Sequence, residues 1–162
     1  MDSKQQTNTM LQEIITAITA WGSRDQRDIY AISFLIDHVS DDDRKLAMLL
    51  SNNTISHWQT QIARASSAQE AKWNFAFWRQ KIDLVLTYSD SEEGSVQELN
   101  QQLKRSCVEV AKALHDQQLL LTALGKQIPI IIHTLEYSQE DLEMTVEANP
   151  GALIAKFVAW EP

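Results

Sequence analysis

The sequence predicts an α+β domain in which a small, mainly antiparallel sheet of about three strands, residues 28–36, 45–51 and 128–135, packs against several helices. Three observations lead there. Short runs rich in Ile and Leu stand at those three places, and the first two are close enough to pair as a hairpin. Most of the remaining chain follows the 3.6-residue helical period. Gly and Pro are scarce, 4 and 3 in 162 residues, which leaves little material for the tight turns of an all-β fold. The length suits one domain spanning 1–162.

The elements follow in order. Leu11, Ile14, Ile15, Ile18 and Trp21 form an i, i+3, i+4, i+7 stripe, so a helix is expected over 8–21, stopped by Gly22. A polar loop with Arg24, Asp25, Arg27 and Asp28 comes next. The run Ile29–Ile36 is apolar at nearly every position, the mark of a strand buried on both faces. Asp37 to Arg44 reads as a charged turn, and Leu46–Leu50 as the returning strand. Asn52, Asn53 and Thr54 supply cap oxygens for a helix to about residue 65, with Ile55, Trp58 and Ile62 on one face. Ser66 to Glu70 reads as a loop.

Residues 73–78 hold four aromatics, and core or sheet-edge packing is their expected role. Residues 82–88 fit both periods, with the helix preferred. After the acidic turn Ser89–Gly94, a long helix is expected over 95–121, with Val96, Leu99, Leu103, Val110 and Leu114 along its stripe. Residues 128–135 form the third strand, where Pro129 suits the first position. Ser138, with Asp141 three residues on, resembles a capping box, so a helix runs to about Ala148 before Asn149-Pro150. A last helix over 151–160 buries Leu153, Ile154, Phe157 and Trp160.

Charge narrows the function. The formal net charge is −8, and all of it lies in the second half: residues 1–81 hold 9 basic and 9 acidic groups, residues 82–162 hold 5 and 13. Residues 136–162 alone contribute −5. Such a chain lacks the concentrated basic surface that phosphate backbones require, so no nucleic acid is expected. No apolar stretch approaches the length of a membrane span, so no membrane is expected either. The polar start, Met1 to Gln6, carries no apolar signal core, and Cys107 is the only cysteine. A cytoplasmic location is therefore expected.

The chemistry-bearing motifs are few. Phosphate-cradling glycine loops, the G-x-S-x-G elbow and the H-E-x-x-H zinc pair are all absent. Asp37, Asp41, Asp42 and Asp43 lack calcium-loop spacing and read as a solvated turn. His38, His57, His115 and His133 fall in different elements, so no metal and no cofactor are expected. Cys107 and His115 lie about 12 Å apart along one helix, too far for a thiolate–imidazole pair, and Cys107 reads as a small core residue. His133 and Glu136 straddle the end of the third strand, followed by Tyr137, Glu140 and Asp141. Carboxylates there suit acid–base work, and equally suit the positive end of the helix they begin. Trp73 and Trp78, flanked by Lys72 and Arg79, suit a binding surface or a packed core.

Several pieces, in this order, resemble a bacterial domain-of-unknown-function family, number 4303. They are the N-terminal amphipathic helix, Asp28-Ile29-Tyr30-Ala31-Ile32-Ser33-Phe34, the Asn53-Thr54 helix start, Lys72-Trp73-Asn74 followed by Trp78, and Asn149-Pro150 ahead of Phe157. Phe75 departs from the pattern, standing where a helix-starting proline is expected. The resemblance implies a small α+β bacterial protein with no assigned catalytic residue. Some such families resemble immunity or accessory proteins of bacterial toxin systems.

Two functions are thereby in view. One is a non-enzymatic, cytoplasmic protein-binding module, immunity-like, meeting a basic protein partner through an acidic C-terminal face with Glu140 and Asp141. The other is an enzyme or small-ligand-binding protein with a site near Trp73, Trp78, His133 and Glu136. The chain is expected as a monomer or a homodimer.

Overall fold

The computed structural model describes residues 3–39, 44–89 and 95–160. The fold is α+β. Its elements are α1 (Ser3–Thr19), α2 (Ser23–Asp28), β1 (Ile29–His38), β2 (Lys45–Thr54), α3 (Ile55–Gln61), α4 (Ala68–Trp73), β3 (Leu84–Ser89), α5 (Val96–Asp116), α6 (Leu119–Leu124), β4 (Ile130–His133), α7 (Gln139–Ala148) and α8 (Gly151–Trp160). Short 3-10 turns cover Ile62–Arg64 and Phe75–Phe77. The sheet has four strands in the order β3-β2-β1-β4. β1 and β3 each run antiparallel to β2, whereas β4 is parallel to β1.

Strand alternation divides the interior into two layers. Ile32, Phe34, Ile36, Leu46, Met48, Leu50, Leu86, Ile130 and Ile132 face the main core. There they meet Met10, Ile14 and Ile18 of α1 and Leu103, Cys107, Val110 and Leu114 of α5. Ala31 and Ile131 face a smaller aromatic layer with Trp73, Trp78 and Phe157. A register shift between Ile29 and Ala31 lets Tyr30 join that second layer. Cys107 is fully buried, and burial pushes its thiol far above the usual range.

Several expectations need correction. Residues 82–88 are not helical: 84–89 form β3. The outer edge of β2 offers unpaired N–H and C=O groups, and pairing from Lys45↔Ser89 to Leu50↔Leu84 satisfies them. The 95–121 helix is two helices, parted at Gln117–Gln118, where Gln118 turns left-handed at φ 56°. Ser95 and Glu98 cap its start reciprocally. The loop after Gly22 contains α2, and α4 begins within the expected loop 66–70. Ile55 and Ile62, expected on one face with Trp58, are 40% and 38% exposed. The third strand is shorter than 128–135, and the sheet has one strand more than expected. The turn acids Asp41, Asp42 and Asp43, and most of the acidic turn at 89–94, lie outside the described residues. The capping box at Ser138–Asp141 stands as the sequence predicts, and so does the helix over 151–160, although it buries only Ile154 and Phe157 and leaves Leu153 and Trp160 half-buried.

Candidate functional site

The second sheet face is unusual in being polar. Ser33 of β1, Ser51 and Asn53 of β2 and His133 of β4 are all buried there, and Ser33 pairs directly with Ser51. Nδ1 of His133 lies 3.0 Å from the Thr134 carbonyl, which can only accept, so Nδ1 carries the proton. Nε2 therefore keeps its lone pair and accepts from the Ser33 hydroxyl at 2.7 Å. Burial pushes the His133 pKa down to about 4, opposed by the Thr134 carbonyl and by Asp141. The ring is neutral at neutral pH.

Aromatic rings close over this floor. Tyr137 stacks on His133 at 5.3 Å and 17°, and Phe75 tilts against the same ring at 4.7 Å. Tyr137 itself sits in the left-handed region at φ 50°, a strained conformation for a bulky residue. Trp73 packs edge-on to both Tyr30 and Phe157, at 5.8 and 5.7 Å. The carbonyl of Lys72 receives two side-chain donors, Tyr30 O–H and, at 2.9 Å, Trp78 Nε1–H. Asn53 Nδ2 donates to the Tyr30 oxygen at 2.8 Å, so the polar floor ties down the aromatic layer.

Beside these rings opens a cleft of about 460 Å³. Phe75, Leu135, Tyr137 and Trp160 supply apolar walls. Asn74, Ala76 and Gln80 lie along the rim, His133 at the floor, and Glu70 and Glu136 bring carboxylates. Neither Lys nor Arg lines it. Ser66 donates to Glu70 from both its N–H and its hydroxyl, holding that carboxyl below its ordinary pKa and therefore ionised.

The expected site residues divide accordingly. His133 and Glu136 share the cleft. Trp73 and Trp78 lie behind it, 4% and 3% exposed, as core of the aromatic layer rather than as cleft walls. Glu140 and Asp141 are elsewhere. Glu140 is ion-paired with Lys104 of α5 and accepts from Gln101 at 3.2 Å, contacts that lower its pKa. Glu147 pairs with Lys112 at 2.6 Å. Asp141 is buried, and its Oδ2 accepts from Ser138 N, Thr134 N and Thr134 Oγ1 at 2.8, 3.1 and 2.8 Å. Much of the acidity of α7 is thus matched within the fold.

Phe75, Tyr137, Trp160 and Glu70 were not singled out as site residues from sequence, although the first lies in the aromatic block and the second beside Glu136. Among the described residues, no three His, Cys, Asp or Glu side chains converge as metal ligands. No helix among them is long and apolar enough to cross a membrane. Comparison with protein-family models, curated proteins and solved structures finds no match to this chain. The class that fold and site define is an α+β protein with an aromatic, acidic cleft at one end of a mixed sheet.

Proposed function

We propose that the protein is a non-enzymatic binding module whose cleft takes a cationic group, a lysine or arginine side chain presented by a basic protein partner. One observation carries this reading: three aromatic walls and two carboxylates line a space that no Lys or Arg among the described residues lines. Ring faces and carboxylates both attract an ammonium or guanidinium group. Both His133 nitrogens are engaged internally, so its imidazole is no free base facing the cleft, and the carboxylates there are left to attract a cation. The net charge of −8 speeds encounter with a basic partner. The resemblance to family 4303 belongs to the same reading, since some families of that kind resemble immunity proteins, as does a cytoplasmic location for a chain with one buried cysteine.

The test is a calorimetric titration with an arginine-rich peptide and with a glutamate-rich peptide of equal length, at low and high salt. Saturable binding of the basic peptide alone, weakening with salt, supports the proposal. Equal binding of both peptides, or none of either, overturns it.

A second reading, an enzyme or a small-ligand site, draws on the Ser33–His133 contact of 2.7 Å, a spacing at which an imidazole can activate a hydroxyl. A fluorophosphonate probe tests it: labelling of Ser33 that is lost in His133→Gln favours the enzyme, and an unlabelled Ser33 argues against Ser33 as its nucleophile.

A further inference from the structure

The two edges of the sheet are finished differently. β4 forms one edge, and side chains of α7 close it: Asn149 bonds both the N–H and the carbonyl of Ile130, and Thr145 both those of Ile132. β3 forms the other edge, and no strand or side chain of the described residues bonds its outward side. In an antiparallel pair only alternate residues bond across, so β3 turns every second N–H and C=O away from β2. Exposed edges usually carry a lysine, a proline or a bulge that prevents further pairing. Leu84–Ser89 contains no charged residue and no proline, and its register with β2 runs unbroken from Lys45↔Ser89 to Leu50↔Leu84.

A groove of about 500 Å³ follows this edge. Val85 to Ser89 line one side of it without a gap, so it tracks the strand itself rather than one face of the sheet. The other side is α1, whose Gln6, Thr9, Met10 and Glu13 stand at i, i+3, i+4 and i+7 on one helix face. Leu84, Leu86 and Tyr88 turn towards the main core that α1 covers, and Val85 and Thr87 are exposed on the opposite side.

Charge selects the occupant. Glu13 is exposed and is the one charged group among the described residues lining the groove. Directly after β3 the sequence reads Asp90-Ser91-Glu92-Glu93, and the whole chain carries −8. A second copy of the same strand brings like charges together, whereas a basic strand meets opposite ones.

We propose that β3 accepts an extended segment of a basic partner protein as a further strand, laid in the groove beside α1. The segment's main chain bonds the free edge of β3, alternate apolar side chains turn towards Met10, and a lysine or arginine reaches Glu13. Main-chain hydrogen bonds give such strand addition its affinity, and alternate side chains give it specificity. The surface lies at the opposite edge of the sheet from β4 and His133, so it does not depend on the reading of the cleft.

The experiment adds a short capped peptide of alternating valine and lysine to the full chain and follows amide hydrogen exchange by NMR. Saturable binding that slows exchange within Leu84–Ser89 is expected. The same peptide with its backbone nitrogens methylated, and a peptide of alternating valine and glutamate, bind about tenfold more weakly or less. Glu13→Gln, at an exposed position, leaves the thermal midpoint unchanged and lowers affinity for the lysine peptide about threefold. Glu136→Gln, in the cleft, leaves that affinity as it was. Absence of binding, binding without protection of β3, or equal binding of the methylated peptide overturns the proposal. So does protection of β3 that needs no peptide and rises with protein concentration, which assigns the edge to a second copy. Affinity lost in Glu136→Gln but not in Glu13→Gln places the peptide in the cleft, which overturns this proposal and leaves the cleft's own standing.

Discussion

Asn149 completes the outer edge of β4 at Ile130. Its Oδ1 accepts the Ile130 N–H at 2.8 Å, and its Nδ2 donates to the Ile130 carbonyl at 2.7 Å. One turn earlier on α7, the Thr145 hydroxyl accepts from Ile132 N at 3.0 Å and donates to Ile132 O at 3.1 Å. Two side chains thus do for β4 what a neighbouring strand would do, and they close an edge otherwise open to pairing. His115 Nε2 meets the same Asn149 oxygen at 2.9 Å, joining α5 to the assembly. The register of β4, and with it the place of His133, depends on this junction.

Asn149→Ala therefore strands two buried backbone groups and the His115 ring. A loss of about 3 kcal/mol is expected, the combined cost of several unsatisfied buried polar groups. Urea denaturation measures it, and a loss under about 1 kcal/mol would show that the edge finds other partners.

His133 makes stability depend on pH. Its pKa is lowered from 6.5 to about 4 in the fold, so the unfolded chain binds the proton more readily. The contribution is fully present above pH 6.5 and declines as pH falls from there towards 4. The full span is worth about 3 kcal/mol. In His133→Asn this slope disappears, and the difference between the two stability–pH curves isolates it. Parallel curves between pH 4 and 6.5 would refute the assignment.

Tyr137 presents a separable pair of effects. Its hydroxyl is buried with no partner among the described residues, while its ring stacks on His133. Tyr137→Phe removes the orphan and keeps the stack, so stability is unchanged or rises by up to about 1 kcal/mol. Tyr137→Ala loses the stack, widens the cleft and lowers the midpoint. A clear loss in the Phe variant would mean that the hydroxyl has a partner in solution.

The cleft carboxylate Glu136 is exposed and makes no hydrogen bond or ion pair among the described residues, so Glu136→Gln leaves the thermal midpoint where it is. Its affinity for the arginine-rich peptide falls by about fivefold, and the salt dependence of that affinity becomes shallower. Unchanged affinity would remove Glu136 from the site.

Trp160→Ala takes away one aromatic wall that is only half buried. Affinity for the same peptide drops while the spectroscopic signature of the sheet remains. An affinity as high as the parent's would place the cation elsewhere on the surface.

Local chemistry was legible where it is local. The β1–β2 hairpin, the Ser138–Asp141 capping box and the 151–160 helix all depend on residues close in sequence, and each stands where the sequence places it. Residues 82–88 were not legible, because Ile82, Leu84 and Leu86 satisfy one period and Val85 another. Only the free edge of β2 selects the strand. The break at Gln118 has no Gly or Pro to announce it. Trp73 and Trp78 illustrate the same limit: composition marks them as important, but only the partners of Lys72 O and the Phe157 ring show that they are core.

By itself, the sequence determined the fold class, the paired strands and the helix caps, because periodicity and capping are set within a few residues of chain. The tertiary structure decided the rest. It seats β4 parallel to β1, turns Glu140 and Asp141 into internal ligands, and brings Glu70, Phe75, His133, Glu136 and Trp160 around one cleft. Those residues are separated by up to more than half the chain, and no local preference encodes a distance between them. Burial of one polar sheet face beneath aromatic rings does.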